Sequence, residues 1–213
     1  MRATEQARSA LPDDWESTKP ADLVDEIKRA AERHGVPIQM FARQLYQEGK
    51  FNEPDKLRKP LLMDSTSNLQ PIGYAQMTKQ TLEELKRRAR VRGDMARVRE
   101  LATYSLANRE QSFDAAAEQL AYLYRLVGGN WPKAVAAYNV GPSLATWFDG
   151  GRSDPRFFGA RQDRKGNLIP TDKWTTEIPA YLRFILRGAA EDPATGDMYI
   201  YREPNRDRTR DRL

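Results

Sequence analysis

Apolar residues along much of this chain recur every three or four positions. Leu23, Ile27, Ala30 and Ala31 share one helical face. So do Ile38, Phe41, Ala42, Leu45 and Tyr46, and further on Ala117, Leu120, Ala121 and Tyr124. Glycines close these segments at Gly35, Gly49 and Gly128-Gly129, while Pro37 and Pro132 stand where a first helical turn tolerates proline. No strand-like alternation persists and no repeat of fixed period is present, so the spacing predicts a mainly α chain. With 213 residues there is enough chain for one domain with a sizeable core plus tails.

The pattern places helices over Asp22 to His34, Pro37 to Gly49, a Thr78-capped segment to about Arg92, Asp94 to Ala107, and Asp114 to Val127. Others follow over Trp131 to Tyr138 behind an Asn130 cap, Pro142 to Phe148, and Ile178 to Ala190. Lys50 to Ile72 and residues 149 to 175 are expected to be loops, the first bordering a cleft. Residues 1–20 are expected to form a flexible leader, 21–190 the domain, and 191–213 a polar tail or linker.

Composition narrows the chemistry. The chain has no cysteine, which excludes disulfides, a thiolate metal site and a cysteine nucleophile. His34 is the only histidine, so a His-rich zinc site is excluded as well, and no G-x-S-x-G elbow accompanies it. In the last turn of its helix His34 suits the negative end of the dipole. No cofactor is expected, because Gly128-Gly129 lacks the Lys-Ser/Thr of a phosphate loop. Carboxylates are left as the reactive groups. The net charge of +5 favours polyanions in general. Lys86 to Arg99 holds seven Lys or Arg, but no aromatic interleaves them. A solvated helix face is therefore expected there, not a nucleic-acid platform.

Four short stretches then stand out in order. Gln47-Glu48-Gly49-Lys50-Phe51-Asn52 puts a glutamate in the last turn of an amphipathic helix. There the helix dipole and apolar neighbours both disfavour the charged carboxylate, as a general acid requires. Gly73-Tyr74-Ala75-Gln76-Met77 combines a glycine that permits close backbone approach with an amide that donates and accepts hydrogen bonds. Ala137-Tyr138-Asn139-Val140-Gly141-Pro142 ends a helix. A helix stop explains its Gly and Pro but not its Tyr-Asn pair. Glu177-Ile178-Pro179-Ala180-Tyr181 opens the last helix.

This order resembles the soluble lytic transglycosylase family, which cleaves the glycan strands of peptidoglycan. In that family a Glu-Ser pair ends a helix and the Glu is the sole acid/base, whereas Gly49 stands here in place of the Ser. The family's Gly-Leu-Met-Gln, preceded by a Ser nine residues before the Gln, corresponds to Gly73 to Gln76 with Ser67 at that offset. The gap from Glu48 is longer than typical, as an insertion near Asp55 to Asp64 would explain. The family's Ala-Tyr-Asn-Ala-Gly-Pro matches Ala137 to Pro142 at five of six positions. The resemblance implies a lysozyme-like, goose-type helical domain with a glycan-binding cleft over about residues 22 to 190. It implies Glu48 as catalytic residue, and Ser67, Gln76, Met77, Tyr138, Asn139, Glu177 and Tyr181 as substrate-binding residues. The Tyr138 hydroxyl would help hold the proton of Glu48, and Trp147 is either a sugar platform or core. The implied partner is the peptidoglycan glycan strand, and the implied product a 1,6-anhydro sugar.

Two other readings stay open. A hydrolase would need a second carboxylate, roughly 5–5.5 Å away for retention or 6.5–9.5 Å for inversion. Glu53, Asp55 and Asp64 are the residues available for it. A non-catalytic glycan-binding or virion structural module is the other. The start of the chain shows no signal peptide, and no run of about 20 apolar residues suggests a membrane span. Together with the basic charge and the linker-like tail, this favours a phage virion-associated wall-degrading protein with partners bound through its tails. A bacterial periplasmic or envelope enzyme without its leader is the alternative.

Overall fold

The computed structural model describes residues 11–51, 71–149, 161–162, 168–169 and 177–187. Its elements are α1 (Trp15–Thr18), α2 (Ala21–His34), α3 (Ile38–Gly49), α4 (Lys79–Val91), α5 (Met95–Ala102) and α6 (Arg109–Leu126). After them come α7 (Trp131–Val140), α8 (Pro142–Asp149), β1 (Arg161–Gln162), β2 (Leu168–Ile169) and α9 (Ile178–Leu186). The two short strands pair antiparallel, Arg161 opposite Ile169. The mainly α expectation holds. The chain forms two compact units, residues 1–119 and 120–213, with the boundary falling within α6.

In the first unit α2 and α3 bury the stripes that their spacing predicts: Leu23, Val24 and Ile27 on α2, and Met40, Phe41 and Leu45 on α3. Each such side chain contributes about 1.5–3 kcal/mol on burial. Gly35 ends α2 in the left-handed region at φ 69°, its N–H reaching the Ala31 and Glu32 carbonyls. Thr78 caps α4 by accepting from the Thr81 N–H, and Asp94 caps α5 by accepting from Arg97. Helix α5 stops at Ala102, short of the predicted Ala107, and α6 begins at Arg109, ahead of the predicted Asp114. Residues 112–121 of α6 are all buried. Among them Asp114, Glu118 and Gln119 break the apolar stripe that would have announced so central a helix.

Two expectations need correction. Residues 11–20 do not behave as a flexible leader: Leu11 and Trp15 are fully buried, and the Trp15 indole N–H donates to Gln39 Oε1 at 2.8 Å. A lone Leu and Trp among Pro and Asp carry no period, so only tertiary contact reveals them. The basic run is not one solvated face either. Arg88 and Arg97 are buried, Arg88 donating to Gln119 Oε1 at 2.5 Å.

In the second unit α7 packs against both α8 and α9. The Asn130 side chain caps α7 by accepting from the Lys133 N–H at 2.8 Å, and Trp131 stacks on Tyr124 at 3.9 Å between ring centres. Leu144, Ile178, Leu182 and Ile185 complete the core of this unit. The tail 191–213 lies outside the described residues, so the expectation for it is neither met nor corrected.

Candidate active site

Glu48 stands half-buried in the last turn of α3, followed by the fully enclosed Gly49. The helix does stop at Gly49, but the left-handed cap is Lys50, at φ 54°, and Phe51 follows at φ 56°. Two consecutive non-glycine residues in this region cost about 1–2 kcal/mol each. What holds them is a knot of aromatic contacts. Phe51 lies 5.4 Å from the Tyr46 ring and 6.4 Å from Trp15, and the Lys50 ammonium sits 4.2 Å over Tyr46. Such contacts contribute about 0.5–1.5 kcal/mol apiece beyond burial. The chain therefore leaves Glu48 in a fixed direction. One turn earlier, Gln44 is fully buried and neither end of its amide makes a hydrogen bond among the described residues.

The Gly73 to Met77 stretch is a tight turn closed by reciprocal hydrogen bonds between Ile72 and Met77 at 2.7 and 3.0 Å. Gly73 is at φ +75°, and a Cβ there would lie 1.8 Å from the Leu106 carbonyl oxygen. Glycine is thus required twice over, by conformation and by space. Gln76 also adopts φ 49°, and its Nε2 donates to the Gly73 carbonyl at 2.9 Å, which fixes the amide's orientation. Tyr74 meets Phe113 edge-on at 6.1 Å. Strained backbone held by surrounding structure is the usual setting of a functional turn. Met77, expected to bind substrate, is only 3% exposed. Its side chain packs in the core and its backbone closes the turn.

Tyr138 and Asn139 occupy the last turn of α7, both half-buried, behind the fully buried run Ala134 to Ala137. Gly141 follows at φ +117°, donating to the Ala137 carbonyl at 2.9 Å, and α8 starts at once with Pro142. The Asn139 Oδ1 is buried with no hydrogen-bond partner among the described residues. Glu177 is exposed at the start of α9, and Tyr181 is half-buried one turn later. Trp147 on α8 is partly exposed. Glu48 and Gln76 thus belong to the first unit, and Tyr138, Asn139, Glu177 and Tyr181 to the second. Ser67, and the spare carboxylates Glu53, Asp55 and Asp64, lie outside the described residues.

A comparison with protein-family models finds a match to the transglycosylase SLT domain over residues 25–153, more than half of the chain. The chain belongs to the transglycosylase SLT domain family. No curated protein and no solved structure matches it significantly. The SLT family is one of lytic transglycosylases with a lysozyme-like helical fold, in keeping with the helices described, and membership implies peptidoglycan as the substrate. Glu48, Gln76, Tyr138 and Asn139 fall inside the matched SLT residues, while Glu177 and Tyr181 fall beyond them.

The first unit of this SLT chain also holds an ionic cluster that the sequence did not announce. Arg97 donates to Glu118 Oε2 through Nε at 3.0 Å and Nη2 at 2.8 Å, to Tyr104 Oη at 2.8 Å, and to Asp114. Asp114 also meets His34 Nε2 at 2.9 Å and accepts from the Tyr104 hydroxyl at 2.6 Å. Burial alone would raise Asp114, yet hydrogen bonds from His34, Tyr104 and Arg97 hold it well below the usual carboxylate range. Glu100 is lowered to about 2, first by the Arg33 guanidinium, against desolvation. The single histidine stands in the last turn of α2, as its position predicts, and is also a partner of Asp114. Only Glu100, three residues on along α5, is a partner of Arg97 that local spacing could announce; Asp114 and Glu118 lie on the next helix.

Proposed function

We propose that this chain cleaves the β-1,4 bond between N-acetylmuramic acid and N-acetylglucosamine in peptidoglycan, with Glu48 as its single acid/base. Glu48 donates its proton to the leaving glycosidic oxygen as the bond to the muramyl anomeric carbon breaks. The resulting carboxylate takes the proton of the muramyl C6 hydroxyl, whose oxygen attacks the same carbon. The product ends in a 1,6-anhydro sugar, no water is consumed, and Glu48 is returned protonated.

The observation that carries this reading is the placement of Glu48 within the family match. It is half-buried in the last turn of α3, where unsatisfied helix carbonyls disfavour added negative charge, with the chain beyond it fixed by Lys50 and Phe51. A group that must both give and take one proton gains from such a setting. Gln76, oriented by the Gly73 carbonyl, is proposed to hydrogen-bond the glycan, as are Tyr138, Asn139, Glu177 and Tyr181. Ser67 keeps the same proposed role. Glu48→Gln preserves size and removes the acid/base, so the release of soluble fragments from purified peptidoglycan should fall by about 10²–10⁴-fold. The melting temperature should stay near that of the wild type. Retention of activity within about tenfold would remove Glu48 from the proposed role.

A further inference from the structure

Among the described residues only two large apolar side chains are exposed, Val91 at 76% and Met95 at 51%. They are not scattered. Val91 is the last residue of α4 and Met95 the first of α5, joined by Arg92-Gly93-Asp94. The corner is well built. Gly93 donates to the Arg90 carbonyl and Asp94 to the Ala89 carbonyl, both at 2.9 Å, and the Asp94 carboxylate caps α5. The two apolar side chains are therefore held outward by an ordered turn, where burial elsewhere in the chain offers them nothing.

Their neighbours are cationic. On α4, Arg87, Arg90 and Val91 share an exposed stripe; on α5, Met95 and Arg99 share another. Arg87 is paired with Glu84, and Arg92 reaches Glu118 while keeping its side chain 48% exposed. Arg90 and Arg99 meet no carboxylate among the described residues, and Asp94 is committed to its cap. A soluble polyanion would use these arginines but would leave Val91 and Met95 in water. A lipid surface uses both: guanidinium groups reach the phosphates while short apolar side chains enter the boundary between headgroups and acyl chains. No helix among the described residues is long and apolar enough to cross a membrane, so the contact is peripheral.

We propose that the α4–α5 corner is a docking surface for an anionic phospholipid bilayer. The surface works without catalysis, and its test is independent of Glu48. Flotation of the full chain is measured with vesicles of phosphatidylethanolamine containing phosphatidylglycerol, and with phosphatidylcholine vesicles. The wild type is expected to float with the anionic vesicles only. Replacing Arg90 and Arg99 together by Gln should weaken binding about 30-fold. The pair Val91→Ser and Met95→Ser leaves the charge unchanged and should weaken it by about tenfold. All four side chains are exposed, so each variant should keep the wild-type melting curve. Because a net charge of +5 attracts any polyanion, the Val91/Met95 pair decides. Three results would overturn the proposal: no flotation, flotation indifferent to Val91 and Met95, or binding to duplex DNA in preference to anionic vesicles.

Discussion

Gly73 and Gly35 form a matched pair of probes. Both are left-handed, at φ +75° and +69°, so a Cβ at either position carries the same conformational cost, about 1–2 kcal/mol. They differ in space. At Gly35 nothing among the described residues lies within 4 Å of the added Cβ, whereas at Gly73 the Leu106 carbonyl oxygen lies at 1.8 Å and its carbon at 2.9 Å. A relaxed contact between carbon and carbonyl oxygen is about 3.3 Å, so the turn at Gly73 must open by roughly 1.5 Å. Both clashing atoms are backbone, which does not swing aside as a side-chain tip would. Overpacking of this kind adds about 1–3 kcal/mol, taking Gly73→Ala to about 2–5 kcal/mol against about 1–2 for Gly35→Ala. The clash also displaces the carbonyl that orients the Gln76 amide. Gly73→Ala should therefore lose wall-degrading activity while the chain is still folded, which Gly35→Ala should not. Urea unfolding of both variants, with peptidoglycan solubilisation measured well below the transition, checks this. Equal destabilisation by the two, or full activity in Gly73→Ala, would refute the reasoning.

The Arg97→Met variant leaves Asp114 and Glu118 buried without their central partner and should lose about 3–5 kcal/mol in urea unfolding; a loss under about 1 kcal/mol would show the cluster to be incidental. Asp114 and Glu100 are both held below their ordinary values, so their contribution is present above about pH 4.5 and is lost as pH falls toward about 2. The urea midpoint should drop across that window, less steeply in Asp114→Asn, and an equal slope in the two proteins would contradict the assignment. Gln44→Met removes a buried amide that makes no hydrogen bond among the described residues and should stabilise the fold by about 1–3 kcal/mol, read by the same assay. Destabilisation instead would mean that the amide is satisfied in solution.

Much of the fold was legible because its helices are punctuated. Gly35, Pro37, Thr78, Asn130 and Gly141 mark ends that the structure keeps, and the Thr78 and Asn130 caps are made by the side chains that their types predict. What stayed hidden depends on contacts distant in sequence. Trp15 is buried against Gln39 and Phe51, and nothing around it has a period. Arg88 and Arg97 read as surface residues because residue type outweighs partner when the partners, Gln119, Glu118 and Asp114, lie on another helix. Left-handed Lys50, Phe51 and Gln76 gave no sign of themselves, since only glycine advertises that conformation. The residues proposed for the site were singled out by motif and order alone. Met77 was singled out for its place beside Gln76, and sequence position says nothing about which way its side chain packs, here into the core.

The most direct test of the central claim is the mass of the sugar ends that the wild-type chain releases from purified peptidoglycan, with Glu48→Gln as control. With Glu48 as single acid/base, the released strands carry 1,6-anhydro-muramyl ends, lighter by one water than reducing ends, and the variant loses them. Reducing ends would make the reaction a hydrolysis and contradict the single acid/base mechanism, as would anhydro ends that persist in Glu48→Gln.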